Sequence, residues 1–209
     1  EVVPIIQGLY VLVLWFGARY YIDLICRVSS DKIDTLFFLL LSTLFLAFLL
    51  VYPLADSGQL GFSSDRDEAI DIAVKQALAG NYPYLCKAVS GIHDGCPNLG
   101  NPIAPLPGAL LLAGLFVMLG GSALQNLFWI AVFYIVLRRQ LDDRKLPAVY
   151  LSTLLFFSPV LIAEILTGGD HLANSLAVTI ALVLALSAVT VRGWILSGVL
   201  LGIALSWWA

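Results

Sequence analysis

Four acidic side chains lie within seven positions of one another: Asp65, Asp67, Glu68 and Asp71. Long apolar stretches precede and follow them. Ionised carboxylates are costly beside hydrocarbon unless they reach water or perform chemistry there. In such a place a carboxylate can accept a proton from a nucleophile or bind a cation. The cluster is therefore the first candidate for a functional site.

A further acid, Asp170, lies in the segment Thr167-Gly168-Gly169-Asp170-His171, directly after another apolar run. Two acids and a histidine are compatible with a divalent cation, although their spacing is not diagnostic of one. A lone histidine at the end of a span is more often an interfacial residue than a ligand. Glu164, close to the end of the same apolar run, faces either a cavity or the headgroup water.

Composition decides the class of protein. Of the 209 residues, 60% are hydrophobic and only 12% are charged, whereas charged residues make up about 25% of a soluble protein. We therefore expect an all-α, polytopic bundle of transmembrane helices. The chain starts without an initiator Met and stops inside an apolar run, so we expect a single transmembrane domain, 1–209, that is the N-terminal part of a longer protein.

Five apolar segments reach or approach the roughly 20 residues of a membrane crossing. They cover 2–17, 35–54, 122–137, 147–166 and 172–191, and a sixth begins at 194 and is incomplete at 209. A shorter run, 109–119, follows three prolines and precedes two glycines, which break helices. At about 1.5 Å per residue it covers only about half of a hydrocarbon core.

Basic residues predict the topology, because Lys and Arg concentrate in cytoplasmic loops. Eight of them fall on one side if 109–119 is a juxtamembrane or re-entrant helix: Arg19, Arg27, Lys32, Arg138, Arg139, Arg144, Lys145 and Arg192. We therefore predict an extracytoplasmic loop at 55–121 that carries interfacial helices, in a protein of the plasma membrane. Acids interrupt the basic run at 138–145, so we expect no nucleic-acid partner.

The cysteines have two interpretations. Cys86 and Cys96 both fall in the expected outer loop, where they form either a disulfide or two reduced thiols. Cys26 falls at the cytoplasmic end of the first span and is expected to be free.

The acidic segment predicts a helix over 65–79 that lies at the membrane surface with its carboxylates facing water. Its expected buried stripe has the i, i+3, i+4, i+7, i+8 pattern: Ile70, Ala73, Val74, Ala77 and Leu78. Gly80 is a stop signal. Asp71 and Lys75 are spaced to pair with each other. Asp67 is therefore expected to be less committed than Asp71 to a local ion pair.

Helix capping is the competing explanation of these acids. Ser64 followed by Asp67, or Asp65 followed by Glu68, resembles a capping box, and acids in a first turn interact favourably with the helix dipole. Capping leaves Asp170 unexplained.

The run Arg66-Asp67-Glu68-Ala69, followed after the helix by Gly80-Asn81-Tyr82-Pro83, resembles the first outer loop of GT-C-fold glycosyltransferases. The chain is similar in particular to the aminoarabinose lipid A transferase and protein mannosyltransferase branch. The likeness continues through the proline-rich segment 101–107 and from Ser158-Pro159 to Asp170, and it covers about residues 35–190. The span at 2–17 is an addition to the family pattern.

The resemblance implies a transfer of sugar from a polyprenyl-phosphate carrier to a lipid, glycan or protein acceptor on the extracytoplasmic face. It implies that Asp67 is the catalytic base and that Glu68 positions Asp67 or the acceptor. Asp170 would bind the acceptor or a divalent ion, and His171 would supply a hydrogen bond or a ligand. Arg66 either holds a phosphate or pairs with a neighbouring acid. A divalent cation is the candidate cofactor, with Asp67 and Asp170 as its candidate ligands.

Two other classes of protein remain open. A secondary transporter also uses membrane acids and glycine-broken helices, and Gly168-Gly169 is compatible with a discontinuous helix. A non-catalytic membrane subunit would explain the apolar composition and leave the acids as solvated surface.

Overall fold

The structure is a computed structural model that describes residues 2–57, 65–89, 92–94, 96–97, 103–105 and 107–206. The helices of these residues are α1 (Val2–Cys26), α2 (Ser30–Asp56), α3 (Arg66–Leu78), α4 (Pro107–Leu119), α5 (Gln125–Gln140), α6 (Leu146–Phe157), α7 (Pro159–Thr167), α8 (His171–Leu186) and α9 (Val191–Leu205). A short 3₁₀ turn, Ser122–Leu124, leads into α5.

The segment between α3 and α4 adds a small element to the otherwise helical fold. Strand β1 (Lys87–Val89) pairs antiparallel with β2 (Ile92–Asp94), a hairpin that the all-α expectation did not contain. A disulfide joins Cys86 to Cys96 with their Cα atoms 4.9 Å apart, so the first of the two cysteine interpretations is confirmed. Cys26 is exposed and free, as expected.

Among the described residues, two helices are long and apolar enough to cross a membrane, over Leu9–Cys26 and Lys32–Ala55. In the same part of the chain, two helix pairs pass this test together but are bent: α4 with the 3₁₀ turn and α5 by 104°, and α6 with α7 by 82°. Up to four crossings result if each bent pair is one span. Helices α8 and α9 are apolar but shorter, with 16 and 15 residues. The described helices therefore indicate a membrane protein with several apolar segments.

The expected span at 147–166 is wrong as one straight helix. The chain breaks at Ser158, where the backbone is extended (φ −115°, ψ 94°). Proline lacks a backbone N–H and disfavours helical geometry in the residue before it, so Pro159 starts a new helix. The Ser158 hydroxyl accepts a hydrogen bond from the Leu161 N–H at 3.4 Å and caps that helix.

Two expected boundaries also shift. The first helix runs past 17 to Cys26, because the polar Arg19 that follows the apolar run is a good helix former. The expected span 172–191 ends earlier, at Leu186. The Thr190 hydroxyl accepts a hydrogen bond from the Gly193 N–H at 3.1 Å, which starts α9 with a capped turn of its own.

At one end of the bundle, the start of α2 meets the end of α5, where the basic residue Arg138 lies. Oδ1 of Asp34, at the start of α2, accepts a hydrogen bond from the Tyr134 hydroxyl on α5. Oδ2 of Asp34 pairs with the Arg138 guanidinium at 3.0 Å. The Tyr134 ring stacks on Phe37 with centroids 4.2 Å apart. At about 1.5 Å per residue, α2 reaches about 27 Å from Asp34 to Tyr52, which lies at the other, acidic end.

Candidate functional site

Helix α3 presents Asp67 to the protein interior. Asp67 is only 2% exposed and shares its face with the buried Ile70, Ala73 and Val74. The expectation that Asp67 is the less committed acid and faces water is therefore wrong. The expected stripe is confirmed for its first three members but not for Ala77 or for Leu78, which is 65% exposed. Asp67 lies three residues before Ile70 and seven before Val74, so it belongs to the same helical stripe.

The end of α3 follows the expectation. Gly80 has a left-handed backbone (φ +78°). Its N–H donates to the Ala77 carbonyl at 3.0 Å, and the Asn81 N–H donates to the Gln76 carbonyl at 2.9 Å. These two bonds form a Schellman motif, which satisfies the last carbonyls of the helix.

The side chain of Asp67 is held from α2. The Tyr52 hydroxyl donates a hydrogen bond to Asp67 Oδ2 at 2.5 Å. The Tyr52 ring is stacked on Phe48 with centroids 4.8 Å apart. From the 3₁₀ turn, the Ser122 hydroxyl donates to the Asp67 backbone carbonyl at 3.1 Å. Two distant segments therefore hold Asp67: α2 bonds its carboxylate, and the 3₁₀ turn bonds its backbone carbonyl.

The diglycine turn between α7 and α8 lies directly against Asp67. Gly168 has φ +74°, and a Cβ built on it would lie 2.7 Å from Asp67 Oδ2 and 2.8 Å from the Tyr52 ring. Only glycine fits this conformation and this space without a shift of its neighbours. The close approach brings the turn that carries Asp170 to the first turn of α3.

Arg66 bridges the two acidic segments. Its guanidinium NH1 lies 3.1 Å from Asp170 Oδ1 and 3.2 Å from His171 Nδ1. The Asp170 side chain is 7% exposed and that of Arg66 is 48% exposed. Residues 66–67 and 170–171, which the sequence analysis assigned to one site, thus lie in one cluster.

Asn126, at the start of α5, fixes the turn from the other side. Its Nδ2 donates to the Gly169 carbonyl at 2.7 Å and to the Glu164 carbonyl at 3.2 Å. Its Oδ1 accepts from the Ala173 N–H at 3.1 Å. One buried amide therefore satisfies the end of α7 and the beginning of α8, whose terminal groups have no partner within their own helix.

Glu164 and Gln125 are two further polar residues near this turn, and both have polar atoms without a hydrogen-bond partner among the described residues. The Glu164 carboxylate contacts Gly169 so closely that a Cβ there would overlap it. Among the residues that the structure describes, Glu164 Oε2 and both amide atoms of the fully buried Gln125 have no hydrogen-bond partner.

The remaining acids of α3 have local roles. Asp71 pairs with Lys75 at 3.9 Å, as expected, and its Oδ1 also accepts from the Ser122 N–H at 2.8 Å. Glu68 is half-buried in the first turn. Asp65 is the N-cap residue, but its side chain makes no capping hydrogen bond. Ser64, the other expected cap, lies outside the described residues.

The two candidate metal ligands each have a protein partner in this arrangement. Asp67 Oδ2 accepts the Tyr52 hydroxyl, and Asp170 Oδ1 pairs with the Arg66 guanidinium. Within the described part of the chain, no group of three or more His, Cys, Asp or Glu is placed to hold a metal ion.

Sequence analysis did not identify Tyr52, Ser122 or Asn126. A tyrosine at the end of a span is ordinary for the membrane interface, so Tyr52 carries no special signal. Ser122, Gln125 and Asn126 are three polar residues at the start of an apolar run, and all three are fully buried. Polar residues at such positions are the available signal for this side of the site.

Comparison with protein-family models, with curated proteins and with solved structures finds no match to this chain. The resemblance to GT-C-fold glycosyltransferases therefore depends on the motifs at 66–69, 80–83, 101–107 and 158–170 alone.

Proposed function

We propose that the chain is a membrane glycosyltransferase of the GT-C type that moves a sugar from a polyprenyl-phosphate carrier to an acceptor. The observation that carries the proposal is the cluster of Arg66, Asp67 and Asp170, in which a buried carboxylate lies next to a half-exposed guanidinium. The two charges that a transfer from a lipid phosphate requires, one anionic and one cationic, come from adjacent residues.

In the proposed reaction, an acceptor hydroxyl oxygen attacks the anomeric carbon of the donor sugar. As the new carbon–oxygen bond forms, the hydroxyl proton passes to a carboxylate oxygen of Asp67. A general base placed in this way contributes typically about 100- to 10,000-fold to the rate. Tyr52 holds the carboxylate in one orientation, so Asp67 is positioned before the acceptor arrives.

The bond between the anomeric carbon and the phosphate oxygen breaks with its electron pair, which remains on the lipid phosphate. Positive groups that meet this developing charge lower the barrier. Arg66 is the cation of the cluster, and its exposed half is accessible to a phosphate. Asp170 holds one edge of the guanidinium and so positions Arg66. Glu68 and the exposed His171 border the same cluster and would contact the acceptor.

The proposal is tested with native membranes that contain the full-length protein and with undecaprenyl phosphate carrying radiolabelled mannose or aminoarabinose. Transfer is measured as label that leaves the carrier and enters a product. Asp67→Asn should lower transfer at least about 100-fold. Asp71→Asn is the matched control, because its partners Lys75 and Ser122 are structural, and it should retain most activity.

Unchanged transfer in Asp67→Asn would contradict the proposed role. Flux of the labelled lipid across liposomes without any glycosylated product would identify a transporter instead.

A further inference from the structure

The basic end of the bundle contains a cavity. Its lining on α2 extends from Ile33 to Leu40, and Leu40 lies about 18 Å along the helix from Tyr52 at the acidic end. This groove between α1, α2 and α6 encloses about 290 Å³. Its lining residues include Tyr21, Ile25, Val28, Phe37, Ala148 and Ser152. We call it the basic groove.

The walls of the basic groove are mostly apolar and offer an occupant few hydrogen-bonding groups. Ser152, on α6, is a lining residue with a hydroxyl group. Its Oγ donates a hydrogen bond to the Ala148 carbonyl of the same helix at 2.5 Å. The other wall residues named above are apolar or aromatic, and Tyr21 packs on the Phe156 ring with centroids 5.3 Å apart. Such a surface suits a hydrocarbon chain.

Basic residues lie close in the sequence to the lining residues at this end of the groove. Arg27 and Lys32 adjoin the lining residues Val28 and Ile33, and Arg144 and Lys145 lie within four residues of Ala148. We call Arg27, Lys32, Arg144 and Lys145 the mouth cations.

Among the described residues, no carboxylate forms a close ion pair with a mouth cation, but Arg144 interacts electrostatically with Asp34. The ion pairs of that part of the chain join Arg66 to Asp170, Lys75 to Asp71, and Arg138 to Asp34. Lys145 Nζ donates to the Cys26 carbonyl at 3.1 Å, which uses one of its three donors and holds the ammonium beside the last turn of α1.

Acids are also present at this end, but they are fewer. Residues 19–34 and 138–145 together contain seven Lys or Arg and five Asp. One of these acids, Asp34, is committed to Arg138 and Tyr134. Asp143 accepts the Lys145 backbone N–H at 2.8 Å. The end of the bundle therefore has an excess of positive charge around an apolar opening.

We propose that the basic groove binds an anionic glycerophospholipid. One acyl chain lies between α1, α2 and α6, and the phosphate meets the mouth cations. Basic pockets between transmembrane helices bind anionic headgroups in this manner. A zwitterionic lipid would place its own cation among four positive side chains and is disfavoured. The proposal does not depend on the transferase activity.

Cys26 supplies a reporter at the mouth. Its thiol is exposed, and Cys86 and Cys96 are joined in a disulfide, so a bimane fluorophore can be attached to Cys26 selectively. The labelled protein is placed in phosphatidylcholine nanodiscs that contain increasing amounts of either chain-brominated phosphatidylglycerol or chain-brominated phosphatidylcholine. Bromine quenches the fluorophore only at short range, so quenching reports occupation of the groove.

We expect brominated phosphatidylglycerol to quench at a lower mole fraction than brominated phosphatidylcholine, by about fivefold for each mouth cation that it contacts. Lys32→Gln with Arg144→Gln should reduce that preference by about fivefold per charge. Both residues are exposed, so the fold tolerates the change. Arg192→Gln is the matched control, because Arg192 is exposed in the first turn of α9 and lies outside the groove.

The chain site is tested separately. Leu36→Trp places an indole in the groove lining, whereas Leu39→Trp places it on an exposed part of α2 outside the lining. The first change should abolish the preference and the second should not. Glycerol 1-phosphate in solution should not relieve the quenching, since it lacks the chain.

Three results overturn the proposal: equal quenching by the two brominated lipids, a loss in Arg192→Gln as large as that in the double variant, or a full preference in Leu36→Trp. Relief of quenching by glycerol 1-phosphate would instead identify a simple phosphate site and would also overturn it.

Discussion

The hydroxyl of Tyr52 donates a hydrogen bond to Oδ2 of Asp67, and this contact joins the last turns of α2 to the first turn of α3. A neutral donor that points at a buried carboxylate fixes the orientation of the acid and satisfies one of its oxygens. Hydrogen bonds to charged groups contribute about 1.5–3 kcal/mol.

Tyr52→Phe removes this hydrogen bond and keeps the ring that stacks on Phe48. We expect sugar transfer to fall about tenfold or more, since about 1.4 kcal/mol corresponds to one factor of ten. Initial rates with the labelled undecaprenyl-phosphate donor measure the effect. Tyr82→Phe is the control, because Tyr82 is 68% exposed. Equal rates in the two variants would show that the hydroxyl of Tyr52 does not support the reaction.

Gly168→Ala should destabilise the protein more than Gly80→Ala. Both glycines have a positive φ, but nothing lies within 4 Å of a Cβ on Gly80, whereas a Cβ on Gly168 meets Asp67, Tyr52 and Ala123. Backbone strain alone costs about 1–3 kcal/mol at either position, and Gly168→Ala adds the steric overlap. Thermal unfolding in detergent compares the two variants. A smaller loss in Gly168→Ala than in Gly80→Ala would contradict the close packing of the diglycine turn on Asp67.

Asn126 and Gln125 are adjacent buried amides for which we expect opposite effects. Asn126→Ala leaves the Gly169 carbonyl and the Ala173 N–H without their partner and should cost about 1–3 kcal/mol. Gln125→Leu replaces an amide that has no partner among the described residues with an apolar group of similar size. It should be neutral or stabilising. Chemical denaturation of both variants tests the contrast. A stable Gln125→Leu variant with reduced transfer would assign the Gln125 amide to the substrate.

Arg66→Gln should reduce activity much more than stability. The Arg66 side chain is 48% exposed, and exposed ion pairs contribute less than about 1 kcal/mol. The proposed contact with the donor phosphate is made in the desolvated transition state, where a cation has a larger effect. Rates and unfolding midpoints of Arg66→Gln, Asp170→Asn and the double variant form a complete cycle. A stability loss that accounts for the whole fall in activity would mean that the pair is purely structural.

The predicted topology can be tested with Cys26, which is exposed at the basic end. A membrane-impermeant maleimide should label Cys26 in inverted vesicles and not in intact cells, because the loops that are rich in Lys and Arg are expected to be cytoplasmic. Ser57→Cys in a Cys26→Ser background is the control, since Ser57 is exposed at the opposite end of α2. Labelling of Cys26 from outside intact cells would refute the topology.

Local sequence patterns predicted the features that depend on neighbours a few residues apart. The Asp71–Lys75 pair and the stop at Gly80 are contacts of this kind. Composition predicted the apolar helices in the same way, because the length of each run limits what it can form. The disulfide was one of two open alternatives.

The contacts of the candidate site were not predictable in this manner. Tyr52 reaches Asp67 from another helix, and Asn126 reaches Gly169 across 43 positions. No local pattern encodes such pairs. The burial of Asp67 was available in principle, since its spacing from Ile70 and Val74 is that of one helical stripe, but an acid in an otherwise apolar stripe is usually assigned to the solvated face.

The break at Ser158 and Pro159 determines where the second acid lies. If α7 continued the axis of α6, its nine residues would extend about 13 Å further in that direction. The bend of 82° turns this length sideways, so the tip of α7 lies about 18 Å from the position that it would have in a straight helix. Pro159, which has no functional side chain, thereby determines that Asp170 lies beside Arg66. A straight helix at this point would separate the two residues although neither of them had been changed.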